Sequence, residues 1–93
     1  MRPLNQAVSA VVADLLRAAP LSAGKVAFAW RMAVGTAVDR ATSVRLENGV
    51  LVVQAASAQW SREIARSSGV IMSRLQAFLG SDAVRRLEIR STS

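Results

Sequence analysis

Apolar and polar residues alternate with two different periods along the chain, and the change of period divides it into elements. Between residues 42 and 57 the period is two. Val44, Leu46, Leu51 and Val53 fall on one face of a ribbon, while Arg45, Glu47 and Gln54 fall on the other together with Val50 and Val52. Asn48-Gly49 interrupts the run, and both residues tolerate the positive φ that a type I′ turn demands. A two-residue turn there fixes the register: Glu47 faces Val50, Leu46 faces Leu51, Arg45 faces Val52, Val44 faces Val53 and Thr42 faces Ala55. The half-polar face is expected to stand open or only partly covered. An isolated hairpin is marginal in water, so flanking helices must cover its apolar side.

Elsewhere the period is helical. Leu4, Val8, Val11, Val12 and Leu15 predict an amphipathic helix over residues 4–18, which Pro20 ends. A second helix starts near Ser22 and carries Val26, Trp30, Ala33 and Val34 as its stripe, with Gly35 as its stop. Residues 36–41 connect it to the hairpin, and Val38 can tuck against the core. After the hairpin, Ser57 is a good N-cap for a helix from Ala58. Trp60, Ile64, Ile71, Leu75, Phe78 and Leu79 continue at helical spacing as far as Gly80. Ser67-Ser68-Gly69 leaves two forms open, one long helix or two shorter ones. A last strand puts Leu87 and Ile89 on one face and Arg86, Glu88 and Arg90 on the other, with Val84 fitting neither set and assigned to the turn. Ser91-Thr92-Ser93 is expected to fray.

The predicted architecture is a single α+β domain over residues 1–93, with an ordered core over about 4–90. Its three-stranded sheet carries the helices on one face. An unbroken long helix would bring the last strand in parallel to residues 50–56, whereas a break at Gly69 would permit the opposite direction.

Composition narrows the chemistry. There is no cysteine, histidine or tyrosine, which removes disulfides and argues against a zinc site. The six carboxylates fall singly, no serine has a histidine to activate it, and Gly24-Lys25 lacks the frame of a phosphate-binding loop. Catalysis, a cofactor and a small-molecule substrate are therefore not expected. No apolar stretch reads as a membrane span or signal peptide, so a cytoplasmic protein is the expectation.

Binding is left. The net charge of +6 is spread along the chain, at +3 over residues 1–41, 0 over 42–57, +2 over 58–80 and +1 over 81–93. Such a field favours nucleic acid, acidic proteins or anionic membranes without choosing among them, and an ordinary soluble basic protein would show the same balance. Lys25, Arg45, Arg62, Arg66, Arg86 and Arg90 are the candidate contacts to a nucleic-acid backbone, and a solvated basic face is the plainer account of them. Trp30 reads first as a core residue. Trp60, in the first turn after the hairpin, is divided between a place at the domain edge and a partner contact.

Three runs, taken in order, carry a family resemblance: Trp30-Arg-Met-Ala-Val34-Gly35, Leu46-Glu-Asn-Gly49-Val-Leu51-Val-Val53, and Ser57-Ala-Gln-Trp60-Ser-Arg-Glu63-Ile64. Together with the later layout through Leu75, Gly80 and Ile89, they resemble the DciA family of small bacterial proteins over roughly residues 4–90. The resemblance implies a K-homology-like, two-layer domain that binds the bacterial replicative DNA helicase and helps to place it on single-stranded DNA, with no ATPase site of its own. Trp30, Val34, Gly35, Asn48 and Gly49 would then serve the fold, and Trp60 and Glu63 the helicase. The chain departs from typical K-homology domains in lacking their paired-glycine loop: Gly69 stands alone, with Met72 where a second glycine would fall. RNA reading of the usual kind is accordingly not carried over. The alternative to the helicase adaptor is a stand-alone single-stranded nucleic-acid-binding module acting in RNA metabolism or translation.

Overall fold

The computed structural model describes Leu15 and residues 20–91. The helix predicted over residues 4–18 therefore lies outside the described residues except at Leu15, which is helical and exposed. From there the chain forms α1 (Ala23–Val34), α2 (Thr36–Arg40), β1 (Thr42–Glu47), β2 (Val50–Ala55), α3 (Ala58–Arg66), α4 (Ser68–Leu79) and β3 (Arg86–Ser91).

The hairpin has the register the turn dictates, from Glu47 opposite Val50 to Thr42 opposite Ala55. Asn48 at φ 50° and Gly49 at φ 81° supply the two left-handed residues that let a tight turn follow the twist of its strands. β2 is the central strand, antiparallel to β1 and parallel to β3. Leu87 stands beside Leu51 and Ile89 beside Val53, so the last strand adds its apolar side chains to the hairpin's apolar face.

Helices cover that face. α1 lies on β1, α3 lies on β2 and β3, and α4 packs against α1 and β3. Ser22 caps α1, its Oγ accepting from the Lys25 N–H at 3.1 Å. Gly35, at φ 87°, ends the helix. Ser57 caps α3 in the same way, accepting from the Trp60 N–H at 3.2 Å. The core joins Val26, Ala29, Trp30 and Ala33 of α1 to Leu51 and Val53 of the sheet and to Ile64, Ile71, Leu75 and Phe78 above it.

Trp30 is buried, 1% exposed, and its polar atom is satisfied. The indole Nε1 donates to Thr42 Oγ1 at 2.8 Å, and that hydroxyl donates onward to the Val38 carbonyl at 2.8 Å. The largest side chain of the core is thus tied to the first residue of the sheet through the connection between them.

Several details depart from the sequence reading. Residues 36–40 form a short helix rather than an irregular connection, and Val38 packs against the core from it. Of the two forms left open for the long helical stretch, the divided one is found, with the break at Ser67, the first residue of the Ser67-Ser68-Gly69 run. Ser67, at ψ 11°, turns the axis, and its N–H is shared between the carbonyls of Glu63 at 3.3 Å and Ile64 at 3.1 Å. The division does not reverse the last strand, which stays parallel to β2. Val84, in the turn as expected, is completely buried. Val52 is also buried, at 5% exposure, although it lies on the face away from the helices and outside the main core cluster. Register places it between Arg45 and Glu88, whose stems can shield it.

Candidate interaction surfaces

The predicted nucleic-acid contacts separate by element. Arg45, Arg86 and Arg90 point to the side of the sheet away from the described helices, with Ser43, Glu47, Val50, Val52, Gln54 and Glu88. β1 and β3 flank β2, so Arg45 and the two β3 arginines stand roughly 10 Å apart across the sheet. Charges of both signs share this face: Arg45 pairs with Glu47 at 2.7 Å and Arg90 with Glu88 at 2.8 Å. Each pair is solvent-exposed, and pairs of this kind contribute under about 1 kcal/mol. The face carries three arginines and two glutamates, a net +1, and so alternates in sign more than it forms a basic sheet.

Arg62 and Arg66 belong to the other layer. They lie one turn apart on α3, on the side opposite the buried Ile64, and both are exposed. Arg66 also reaches Glu63, at 3.4 Å. Lys25 is half-buried in the first turn of α1. The six predicted residues are therefore brought to the two sides of the domain and not to one patch.

The residues predicted to meet a partner do come together. Trp60 is half-buried, packing on the core from the first turn of α3, and Glu63 follows on the flank of the same helix. Both line a groove of about 360 Å³. Val34, Val38 and Ile71 line it too, as does Val70, which is 57% exposed. Arg74 closes one end, its Nη1 donating to the Ala33 carbonyl at 2.9 Å. Val34 and Gly35, expected to serve the fold, sit where α1 ends and the groove begins. The arrangement offers apolar surface with one acidic and one basic group at its border, which suits a protein segment rather than proton transfer or metal ligation.

Two arginines have roles that residue spacing did not reveal. Arg74 satisfies a carbonyl in the last turn of α1, where no further helical N–H is available. Arg85 holds the hairpin to the start of β3: its backbone N–H donates to the Gly49 carbonyl at 2.7 Å and its Nη2 to the Asn48 carbonyl at 2.8 Å. The guanidinium lies where a Cβ on residue 49 would be, so a side chain there would have to push the flexible Arg85 head aside, while the positive φ is what calls for glycine. Both contacts join residues distant in sequence, and no local pattern announces them.

Comparison with known proteins bears on the whole domain. A UPF0232 protein of Mycolicibacterium smegmatis (strain ATCC 700084 / mc(2)155) is 33% identical over 89 residues, which cover 90% of this chain and 46% of that protein. The chain thus spans about half the length of this curated relative. Residues 3–89 match the profile of the family described as "Dna[CI] antecedent, DciA", a span that includes the hairpin, Trp30 and the Trp60 groove. On that match the chain belongs to the DciA family.

Proposed function

We propose that this K-homology-like domain is a non-enzymatic adaptor that binds the bacterial replicative DNA helicase and assists its loading on single-stranded DNA. The observation that carries the reading is the family match over residues 3–89. The family is described as a "Dna[CI] antecedent", which we take to point to replication, and the residues of this chain contain no histidine, cysteine or tyrosine with which to run a reaction. Nucleotide hydrolysis would belong to the helicase. The adaptor would act by binding one conformation of the ring more tightly than another, since only differential affinity shifts a population.

In this reading Trp60 and Glu63 meet the helicase through the groove between α1 and α3–α4. Lys25, Arg45, Arg62, Arg66, Arg86 and Arg90 contribute electrostatic contacts to the DNA strand, with no base-specific role. The test is retention of the purified replicative helicase of the same organism on the immobilised domain at micromolar concentrations. Retention that falls at least tenfold in Trp60→Ala, with the fold intact by circular dichroism, is the expected result. No retention of helicase by the unaltered domain would end the proposal.

The charge of +6 also supports a second reading, a stand-alone binder of single-stranded nucleic acid in RNA metabolism or translation. Titration of labelled single-stranded DNA and RNA at several salt concentrations separates the two. Tight binding without helicase, with a steep loss of affinity as salt rises, would favour the second.

A further inference from the structure

We infer that β1 is a self-complementary edge through which two copies of this domain pair, extending two three-stranded sheets into one of six strands. The argument begins with the hairpin's hydrogen-bond alternation. A two-residue turn makes Glu47 and Val50 the first hydrogen-bonded pair, so Arg45 and Ser43 also bond to β2. The Ala56 N–H donating to the Ala41 carbonyl at 2.8 Å continues the same alternation past the strand's end. The backbone N–H and C=O groups of Val44 and Leu46 therefore point outward, on the side of β1 away from β2. Among the described residues nothing pairs with that side, since β1 has β2 as its sole neighbour in the sheet.

A row of outward backbone groups can template another strand. What selects the strand is written in β1 itself, which reads Val44-Arg45-Leu46-Glu47. An antiparallel two-fold pairing must keep each residue opposite one of the same face, and its hydrogen bonds must come from the outward residues, Val44 or Leu46. Registers centred on Val44, Arg45 and Leu46 do this, the last bonding Leu46 to the partner's Leu46 and setting Val44 beside Asn48 of the partner copy's turn. Centring on Arg45 sets like charges directly opposite each other, which is unfavourable. Centring on Val44 sets Arg45 against Ser43 and leaves Glu47 without a cation. Centring on Leu46 sets Arg45 against the partner's Glu47 and Glu47 against the partner's Arg45, at the closely spaced non-hydrogen-bonded positions. Within one copy these two side chains already touch, at 2.7 Å, so pairing turns each dipole into half of an alternating four-charge cluster.

The other face agrees. Leu46 and Val44 are only partly buried, and they border a groove of about 530 Å³ between β1 and the start of α1. Leu21, 55% exposed, and Val26 form its far wall. In the Leu46-centred register the two Leu46 side chains meet on the symmetry axis, and the two grooves join beneath them. Apolar surface left open in one copy is then covered by the same surface of the other, as an isologous interface requires.

The experiment uses the 93-residue chain in sedimentation equilibrium. The expected species is a dimer of twice the 9.9 kDa chain mass, forming with concentration. R45E and E47R each place like charges opposite across the axis, and each should weaken self-association roughly tenfold or more. An equimolar mixture of R45E and E47R chains restores opposite charges at both positions and should dimerise as a heterodimer. Because the chain has no cysteine, a second readout is clean: R45C chains mixed with E47C chains should form an intermolecular disulfide under mild oxidation, and R45C chains alone should not. A strict monomer up to about 1 mM overturns the inference. So does a dimer indifferent to both charge reversals, or one cross-linked through cysteines introduced on β3 and not through this pair.

Discussion

Replacing Thr42 with valine tests how the core is joined to the sheet. Valine keeps the size and β-branching of threonine, so strand propensity and packing volume change little. What goes is one oxygen, which at present accepts the Trp30 indole N–H at 2.8 Å and donates to the Val38 carbonyl at 2.8 Å. The indole is 1% exposed, so no solvent can take over as acceptor. A buried donor left without a partner costs about 1–3 kcal/mol. The Val38 carbonyl is less affected, because it still accepts the Ala41 N–H at 3.1 Å. The net expectation for Thr42→Val is a loss of about 2 kcal/mol. With a urea m-value near the low end of the range for small domains, about 1–2 kcal/mol/M, the unfolding midpoint should fall by about 1–2 M. The control is Thr42→Ser, which keeps the hydroxyl and should cost about 1 kcal/mol or less for its lost methyl. Amide and indole hydrogen exchange gives a site-specific readout, since the chain has two tryptophans and Trp60 is half-exposed. The slowly exchanging indole proton should belong to Trp30 and should lose protection in Thr42→Val. A Thr42→Val midpoint within 0.3 M of the unaltered protein would refute the reasoning, as would equal losses in the valine and serine variants.

Other substitutions probe the remaining junctions. Gly49→Ala forces a side chain into a left-handed position and displaces the Arg85 guanidinium, for a cost of about 2 kcal/mol measurable by thermal unfolding. Ser57→Ala removes the cap of α3 and should cost about 1 kcal/mol in denaturant titrations. Arg74→Met keeps the aliphatic stem but leaves the Ala33 carbonyl without its donor, with an expected loss of about 1 kcal/mol.

The sequence was most legible where one local device determines a structure alone. Asn48-Gly49 gave every hairpin pairing, because a side-chain period of two admits no slip without exchanging the faces. Ser57 and Gly80 mark helix ends through backbone chemistry that depends on neighbours a few residues away. Trp30 was placed in the core by its position in a stripe, but its acceptor is twelve residues away and could not be named. Ser67-Ser68-Gly69 marked where the long helical stretch could divide but left open whether it does, because the shared Ser67 N–H depends on how the carbonyls one turn back are placed. Residues 36–40 escaped because a single helical turn has no periodicity to read. Among the candidate contacts, Trp60 and Glu63 share one helix and so share a groove. The basic set is scattered because strand alternation and helix rotation assign each arginine its side independently. Arg85 and Arg74 bond across 37 and 41 residues, distances at which spacing carries no information.

The parallel pairing of β3 with β2 also governs the order of events in time. The hairpin can close within microseconds once β2 has left the ribosome, since its two strands are adjacent in the chain. The central strand then waits for its second neighbour, because Val50 meets Arg86 only after thirty-six further residues have been synthesised. Throughout that interval one flank of β2 is an open template during translation. The nascent chain is therefore exposed to mispairing along that flank until its last strand emerges.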